Sequence, residues 1–452
     1  MYKNYYFLGI GGIGMSAIAR YFNAKGSHVA GYDRTPSKLT EELSAEGILI
    51  HYQDNRDQIP PDFLDASQTL VVYTPAIPSD SKEMNYFRTH GFVVNKRAEI
   101  LGQITQMERG LCIAGTHGKT TTSTMTAHLL KQSHVDCNAF LGGISKNYTS
   151  NLLLSEISDL VVIEADEYDR SFHQLHPYMA VITATDADHL DIYGTHEAYL
   201  ESFAHFTSLI QPGGCLIAKK GIQLVPRLQK EVTLYHYSAT EVADFYAKNI
   251  RIGDGQLLFD FVTPTEQVAD VNLGVPVLVN VENAVAAMAV AWLNGVRADE
   301  LCRGMASFAG IRRRFETHLK TDKITIIDDY AHHPEELMAS IKSVKALYAG
   351  KKVCGVFQPH LFSRTRDFYK QFAEALSCLD EVVLVEIYPA RETPISGVSS
   401  QLIFDEIKLT HKTLTTKADL LRVLKSKQFD VLLTVGAGDI DTYIPEIVNL
   451  FT

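Results

Sequence analysis

Positive charge is scarce in this chain. Its 42 Lys and Arg stand against 53 Asp and Glu, a formal net charge of -11. A general nucleic-acid binder needs a basic footprint, so the charge argues against that class. An anionic substrate would have to be met by a few local cations. Cysteine is sparse too. Cys112, Cys137, Cys215, Cys302, Cys354 and Cys378 are scattered, with no CxxC pair. That argues against a disulfide framework or a cysteine zinc site and fits a reducing cytosol. No apolar run reaches the ~18 residues of a spanning helix. The chain opens on a strand and a glycine loop, not on a signal-peptide pattern. Low-complexity segments and short-period repeats are also missing. These absences predict a cytoplasmic globular protein with neither nucleic acid nor membrane as partner. Over 452 residues with 46% apolar and 21% charged content, there is room for roughly two to four domains of ~100–200 residues.

The most informative segment present is Gly115-Thr116-His117-Gly118-Lys119-Thr120-Thr121-Thr122. It follows an apolar run, Leu111 to Ala114, and precedes an amphipathic stretch, Met125 to Leu130. Strand, glycine turn and helix in that order form a phosphate-binding loop, because glycines let backbone N–H groups face phosphate oxygens at a helix N-terminus. Lys119 would reach the β/γ-phosphates and Thr120 would hold Mg²⁺. The loop is not a standard Walker motif, since its first glycine would fall at Ile113. Behind it, the strand Leu160 to Ile163 ends in Glu164-Ala165-Asp166-Glu167, and Met179 to Thr183 leads to Asp188-His189. Ligands collect at the carboxyl ends of strands in open α/β sheets. Glu164 and His189 are therefore candidate metal groups, although His189 could instead orient substrate.

A second glycine loop, Gly9-Ile10-Gly11-Gly12-Ile13-Gly14-Met15-Ser16, lies between the strand Tyr5 to Leu8 and the helix Ala17 to Ala24. Asp33 ends the next strand, His28 to Tyr32, where a ribose-binding acid would sit. Alone, this pattern also suits an NAD-linked oxidoreductase or a tight turn without ligand. Strands at Thr69 to Tyr73, Ile324 to Ile327, Val353 to Phe357, Val382 to Val385 and Val431 to Val435 extend the α/β alternation. Residues Val232 to Leu273 read as short strands in a small antiparallel layer, and Val281 to Leu293 as an alanine-rich helix. Arg312-Arg313-Arg314 is a basic cluster suited to phosphate. Asp328-Asp329-Tyr330-Ala331-His332-His333-Pro334 and Gln358-Pro359-His360 each follow a strand; the Arg pair Arg364 and Arg366 could recognise a carboxylate.

Taken together, these segments resemble the Mur ligases of bacterial cell-wall synthesis, over essentially the whole chain. The resemblance implies an α/β fold of three domains. Residues 1–105 would be a Rossmann-like UDP-sugar-binding domain. Residues 106–311 would be a central P-loop ATPase-type domain with a parallel sheet and the small antiparallel layer, and 312–452 a Rossmann-like C-terminal domain. It implies ATP and Mg²⁺ as cofactors, and amide formation between the carboxylate of UDP-N-acetylmuramate and an amino acid, L-alanine in the branch matched best. A ligase that recycles a preformed tripeptide is the nearest alternative; a nucleotide-sensing module without chemistry is a more distant one. By resemblance the UDP-sugar site comprises Gly9, Gly11, Gly12, Gly14, Met15, Ser16, Asp33 and Thr74. The ATP site would comprise Gly115, Thr116, His117, Gly118, Lys119, Thr120, Thr121, Asn280, Asn283, Arg314 and Asp329. Thr120, Glu164 and His189 would serve the metal, and His360, Arg364 and Arg366 the amino-acid pocket. Lys119, Glu164, His189 and Arg314 would carry catalysis. Val279 and Leu361 stand where many members have His and Arg. No Lys lies between His189 and Phe206, so the carbamylated Lys of several relatives has no counterpart.

Overall fold

The computed structural model describes every residue except Met1, Pro75, Asp188, His189, Asp254 and Arg391, and omits the side chains of Leu190 and Asp191. Three sheets, each accompanied by helices, make three α/β domains. The first holds β1 (Asn4–Leu8), β2 (His28–Tyr32), β3 (Leu49–His51), β4 (Thr69–Tyr73) and β5 (Val93–Lys96), in the order β3-β2-β1-β4-β5, all parallel. All five residues of β1 are buried, as expected of a strand covered on both faces. The order reverses between β1 and β4. That is the switch point at which a doubly wound sheet opens a crevice, and Gly9 and Thr74 follow those two strands.

The second sheet holds β6 (Arg109–Ala114), β7 (Asn138–Ser145), β8 (Ser150–Leu153), β9 (Leu160–Glu164), β10 (Pro177–Ile182), β11 (Cys215–Lys219), β12 (Thr233–Ser238), β13 (Phe245–Gly253), β14 (Gln256–Val262) and β15 (Gln267–Asn272). Its order is β15-β14-β13-β12-β11-β10-β6-β9-β7-β8. Pairing is parallel from β7 through β9, β6, β10 and β11 to β12, and antiparallel between β7 and β8. The strands expected over 232–273 form one edge of this sheet, where β14 and β15 run antiparallel, Leu273 N donating to Leu257 O at 2.9 Å. β12 and the start of β13 pair in parallel, Tyr237 beside Phe245, so these strands continue the main sheet.

The third sheet holds β16 (Glu316–Lys320), β17 (Thr325–Asp329), β18 (Val353–Phe357), β19 (Glu381–Leu384), β20 (Lys412–Leu414) and β21 (Val431–Val435), in the order β16-β17-β21-β18-β19-β20. Only β16 is antiparallel to its neighbour. Ile326, Val356, Val383 and Leu432 pack with Leu420, Leu424, Ile444 and Ile447 in a core of their own. By compactness the chain forms two units: 1–247 with 261–268 and 283–305, and 248–260 with 269–282 and 306–452. Among the described residues, no helix is long and apolar enough to cross a membrane.

Candidate active site

β6 ends at Ala114, and the phosphate loop begins. Gly115 and Gly118 have φ of 132° and 83°, in the left-handed region that glycine tolerates and side chains resist. A Cβ on Gly115 would also come within 2.8 Å of Ala184 N. The Thr183 hydroxyl donates to His117 O and, at 3.2 Å, to Ala114 O. Thr116 donates to Asp186 O at 2.9 Å, so the segment that follows β10 braces the loop. Gly118 caps the helix Lys119–Lys131. His117 and Thr121 are half-buried. The Thr122 hydroxyl donates to Asn283 Oδ1 at 3.2 Å, tying the loop's helix to the alanine-rich helix Leu278–Leu293.

The Lys119 ammonium curls back over its own loop. It donates to Gly115 O at 2.6 Å and to Glu167 Oε1 at 2.8 Å. Glu167 is 1% exposed, so this pair is screened little by water. Thr120 donates to Glu164 Oε1 at 3.1 Å. Two hard oxygen donors this close suit Mg²⁺, which takes one or two protein ligands and completes its shell with phosphate and water. Gly142 contributes by lacking a side chain, because a Cβ there would meet the Glu164 carboxylate. His189 lies outside the described residues. Glu167 had no role in the sequence reading. Its only signal was membership of the Glu164-Ala165-Asp166-Glu167 run.

In the first glycine loop, Gly11 N donates to Asp33 Oδ2 at 2.8 Å, and Thr35 N donates to Asp33 Oδ1 at 3.1 Å. Asp33 thus shapes the loop, whatever it does to a ligand. Gly12 caps the helix Ile13–Ala24. Met15 is 2% exposed and packs in the core. Ser16 is also buried; its hydroxyl donates to Ile13 O at 2.9 Å and accepts from Asn151 Nδ2 at 3.0 Å. A Cβ on Gly9 would approach Thr74 Cγ2 to 2.7 Å, so Thr74 borders the loop.

The second unit carries the remaining predicted residues. Arg313 and Phe315 both take left-handed φ, 62° and 47°. Arg313 Nη2 donates to Gly436 O and Gly438 O, each at 3.0 Å. It also lies over the Tyr330 ring at 4.8 Å, as the Arg314 guanidinium does at 5.5 Å. Asp328 is buried and accepts from Thr434 at 2.6 Å; burial pushes its carboxyl up to about 7. Asp329 ends β17 and accepts from Phe315 N at 3.3 Å. Burial raises its pKa as well. His360 stacks on Tyr388 at 5.8 Å and meets His332 edge-on at 5.9 Å. Arg364 Nη1 lies 3.4 Å from His360 Nδ1. Arg366 is not brought to this cluster. Two residues along a helix point to opposite sides, and Arg366 instead pairs with Asp367 at 2.7 Å on the exposed face. Asn280 Nδ2 donates to Val275 O at 3.3 Å.

Comparison with known proteins gives three family matches. Residues 4–109 match the catalytic domain of the Mur ligase family, 113–291 the Mur ligase middle domain, and 313–438 the Mur ligase glutamate ligase domain. The UDP-N-acetylmuramate–L-alanine ligase of Parabacteroides distasonis is 64% identical over 445 residues, covering 98% of this chain and 96% of that protein. The enzyme of the same name from Porphyromonas gingivalis W83 is 60% identical over 444 residues, 98% and 97%. Among solved structures, a UDP-N-acetylmuramate-alanine ligase from Thermotoga maritima matches with TM-score 0.83 at 26% identity over 99% of each chain. A murein peptide ligase from Psychrobacter arcticus shares the fold, with TM-score 0.67 at 21% identity over 99% and 98%.

Proposed function

The chain belongs to the Mur ligase family, and we propose that it joins L-alanine to the carboxylate of UDP-N-acetylmuramate with ATP, releasing ADP and phosphate. The observation that carries this reading is full-length identity of 60–64% to enzymes of that name. The arrangement of Lys119, Thr120 and Glu164 supports it. The product, UDP-N-acetylmuramoyl-L-alanine, feeds peptidoglycan synthesis. ATP and a sugar nucleotide as substrates put the reaction in the cytoplasm.

A carboxylate is a poor acyl donor, because its leaving group would be oxide. Transfer of the γ-phosphoryl group from ATP to the muramoyl carboxylate makes an acyl phosphate. The alanine amine attacks it, and the tetrahedral intermediate expels phosphate. The protein's part is positioning and charge stabilisation. Lys119 leaves Glu167 to neutralise charge on the migrating phosphoryl group. Thr120 and Glu164, with His189, would hold Mg²⁺, which would supply charge neutralisation for phosphoryl transfer. Asn283 would sit near the adenine, and Asn280, Arg314 and Asp329 would serve the nucleotide. The glycine loop at Gly9 cradles the UDP diphosphate. His360 and Arg364 receive the amino acid; Arg366 belongs to that pocket by sequence alone.

The direct test is phosphate release from ATP, Mg²⁺ and UDP-N-acetylmuramate across a panel of amino acids and the recycling tripeptide. Release dependent on L-alanine, with the matching product mass, is expected. Release with the tripeptide alone would overturn the alanine assignment.

A further inference from the structure

A cavity of about 180 Å³ opens within the first unit between the first glycine loop and the strand end that carries Glu164. Its polar lining is Arg97, Glu164 and Asp166, and its apolar walls include Leu101, Phe140 and Ile163. Arg97 begins the helix Arg97–Met107. Its guanidinium rests on Gly14, filling the place a Cβ would take, and Nη2 donates to Asp166 Oδ2 at 3.3 Å. Its side chain is 25% exposed and that of Asp166 40%, so the pair is open to exchange of partner. A surface pair of this kind contributes little to stability, and an arriving anion readily replaces it.

We propose that Arg97 is a substrate-binding residue that trades Asp166 for the diphosphate of the sugar nucleotide. The inference rests on the UDP-N-acetylmuramate reading above. Three observations carry it. The cation sits directly against the glycine loop that would cradle a diphosphate. It is held by one carboxylate at 3.3 Å rather than by a fork of two short bonds, and guanidinium groups bind phosphate through paired hydrogen bonds. It also lines a cavity that runs from that loop to Glu164, the reach a ligand needs if its diphosphate lies at the loop and its carboxylate near the metal. Lys96, the preceding residue, pairs separately with Asp169 at 2.9 Å, so it does not compete for Asp166.

The test is titration calorimetry of the full chain with UDP-N-acetylmuramate, for the parent and for Arg97→Ala, Arg97→Lys and Asp166→Asn, with thermal melting to verify folding. Arg97→Ala should weaken affinity at least 10-fold, and Arg97→Lys should recover part of the loss. Asp166→Asn removes the competitor and should bind as tightly as the parent or more tightly. Phosphorus NMR of the bound nucleotide should show the diphosphate resonances displaced in Arg97→Lys. Equal affinity in Arg97→Ala would overturn the proposal. So would weakening in Asp166→Asn equal to that in Arg97→Ala, since the pair would then be structural. Unmoved phosphate resonances would also overturn it. Failure of the parent to bind UDP-N-acetylmuramate would instead overturn the sugar-nucleotide reading itself.

Discussion

Lys119 and Glu83 are the two ionisable residues whose surroundings decide most. Lys119 is held by Gly115 O and Glu167, so in this state its charge is neutralised by the protein rather than offered to solvent. Lys119→Ala should lower alanine-dependent phosphate release by roughly 10²–10³-fold or more, with UDP-N-acetylmuramate affinity by calorimetry unchanged. Near-normal turnover in a folded variant would remove Lys119 from the chemistry. Glu83 lies in the first domain, fully buried. It accepts from Tyr6 at 2.7 Å and from Asn55 N at 3.2 Å, yet burial still pushes its carboxyl up to about 7. A raised carboxyl pKa means the folded state holds its proton more tightly than the unfolded one. The stability this contributes is complete below the unfolded pKa near 4.5 and is lost as pH rises through about 7. His51, 3.4 Å away, works in the opposite sense, since burial lowers its pKa. Its effect falls below pH ~6.5. Between pH 6.5 and 8, the parent should therefore lose stability relative to Glu83→Gln, by about 0.8 kcal/mol. Parallel melting curves across that interval would contradict the buried-acid account.

At the scale of elements, the strand end that carries Glu164 depends on a neighbour that leaves room for it. β7 pairs with β9 through Phe140 and Ile163, and Gly142, just beyond that pair, leaves the room in which Glu164 turns toward Thr120. Gly142→Ala should displace the Glu164 carboxylate. Its atoms are the flexible end of a side chain, so the effect should fall on turnover, not on the fold. The Mg²⁺ concentration for half-maximal rate should rise at least 10-fold with little change in melting temperature. An unchanged Mg²⁺ dependence would separate Gly142 from the metal site. Elements differed in how far the sequence revealed them. β2, β4, β18 and β21 stood at their observed bounds, because each is a buried apolar run between turn residues. β3, β16 and β20 went unread. They are short or polar edge strands, Leu-Ile-His, Glu-Thr-His-Leu-Lys and Lys-Thr-Leu, and an edge strand need not be apolar. In the site, the glycine loops were legible since their geometry demands glycine. The pairs Lys119–Glu167 and Arg97–Asp166 join residues 48 and 69 positions apart, and no local pattern encodes such pairing.

For the whole molecule, independence of the parts is the question that the cores answer. The C-terminal sheet is complete within 316–435, and its core runs from Ile324 to Ile447 without a residue from the first two domains. About 140 residues suffice for a domain that buries roughly two-thirds of its unfolded surface. The mostly parallel order β17-β21-β18-β19-β20 needs the helices of this segment to cover its faces. The segment supplies Pro334–Leu347, Phe362–Leu376 and Ile444–Phe451. A fragment of residues 312–452 should therefore fold alone, with a cooperative thermal transition and an α/β circular dichroism spectrum, and it should release no phosphate from ATP because it lacks Lys119, Thr120 and Glu164. A fragment that melts without cooperativity would mean that strands β17 and β21 need the rest of the chain to close their core, and the C-terminal domain would then be a domain by topology only.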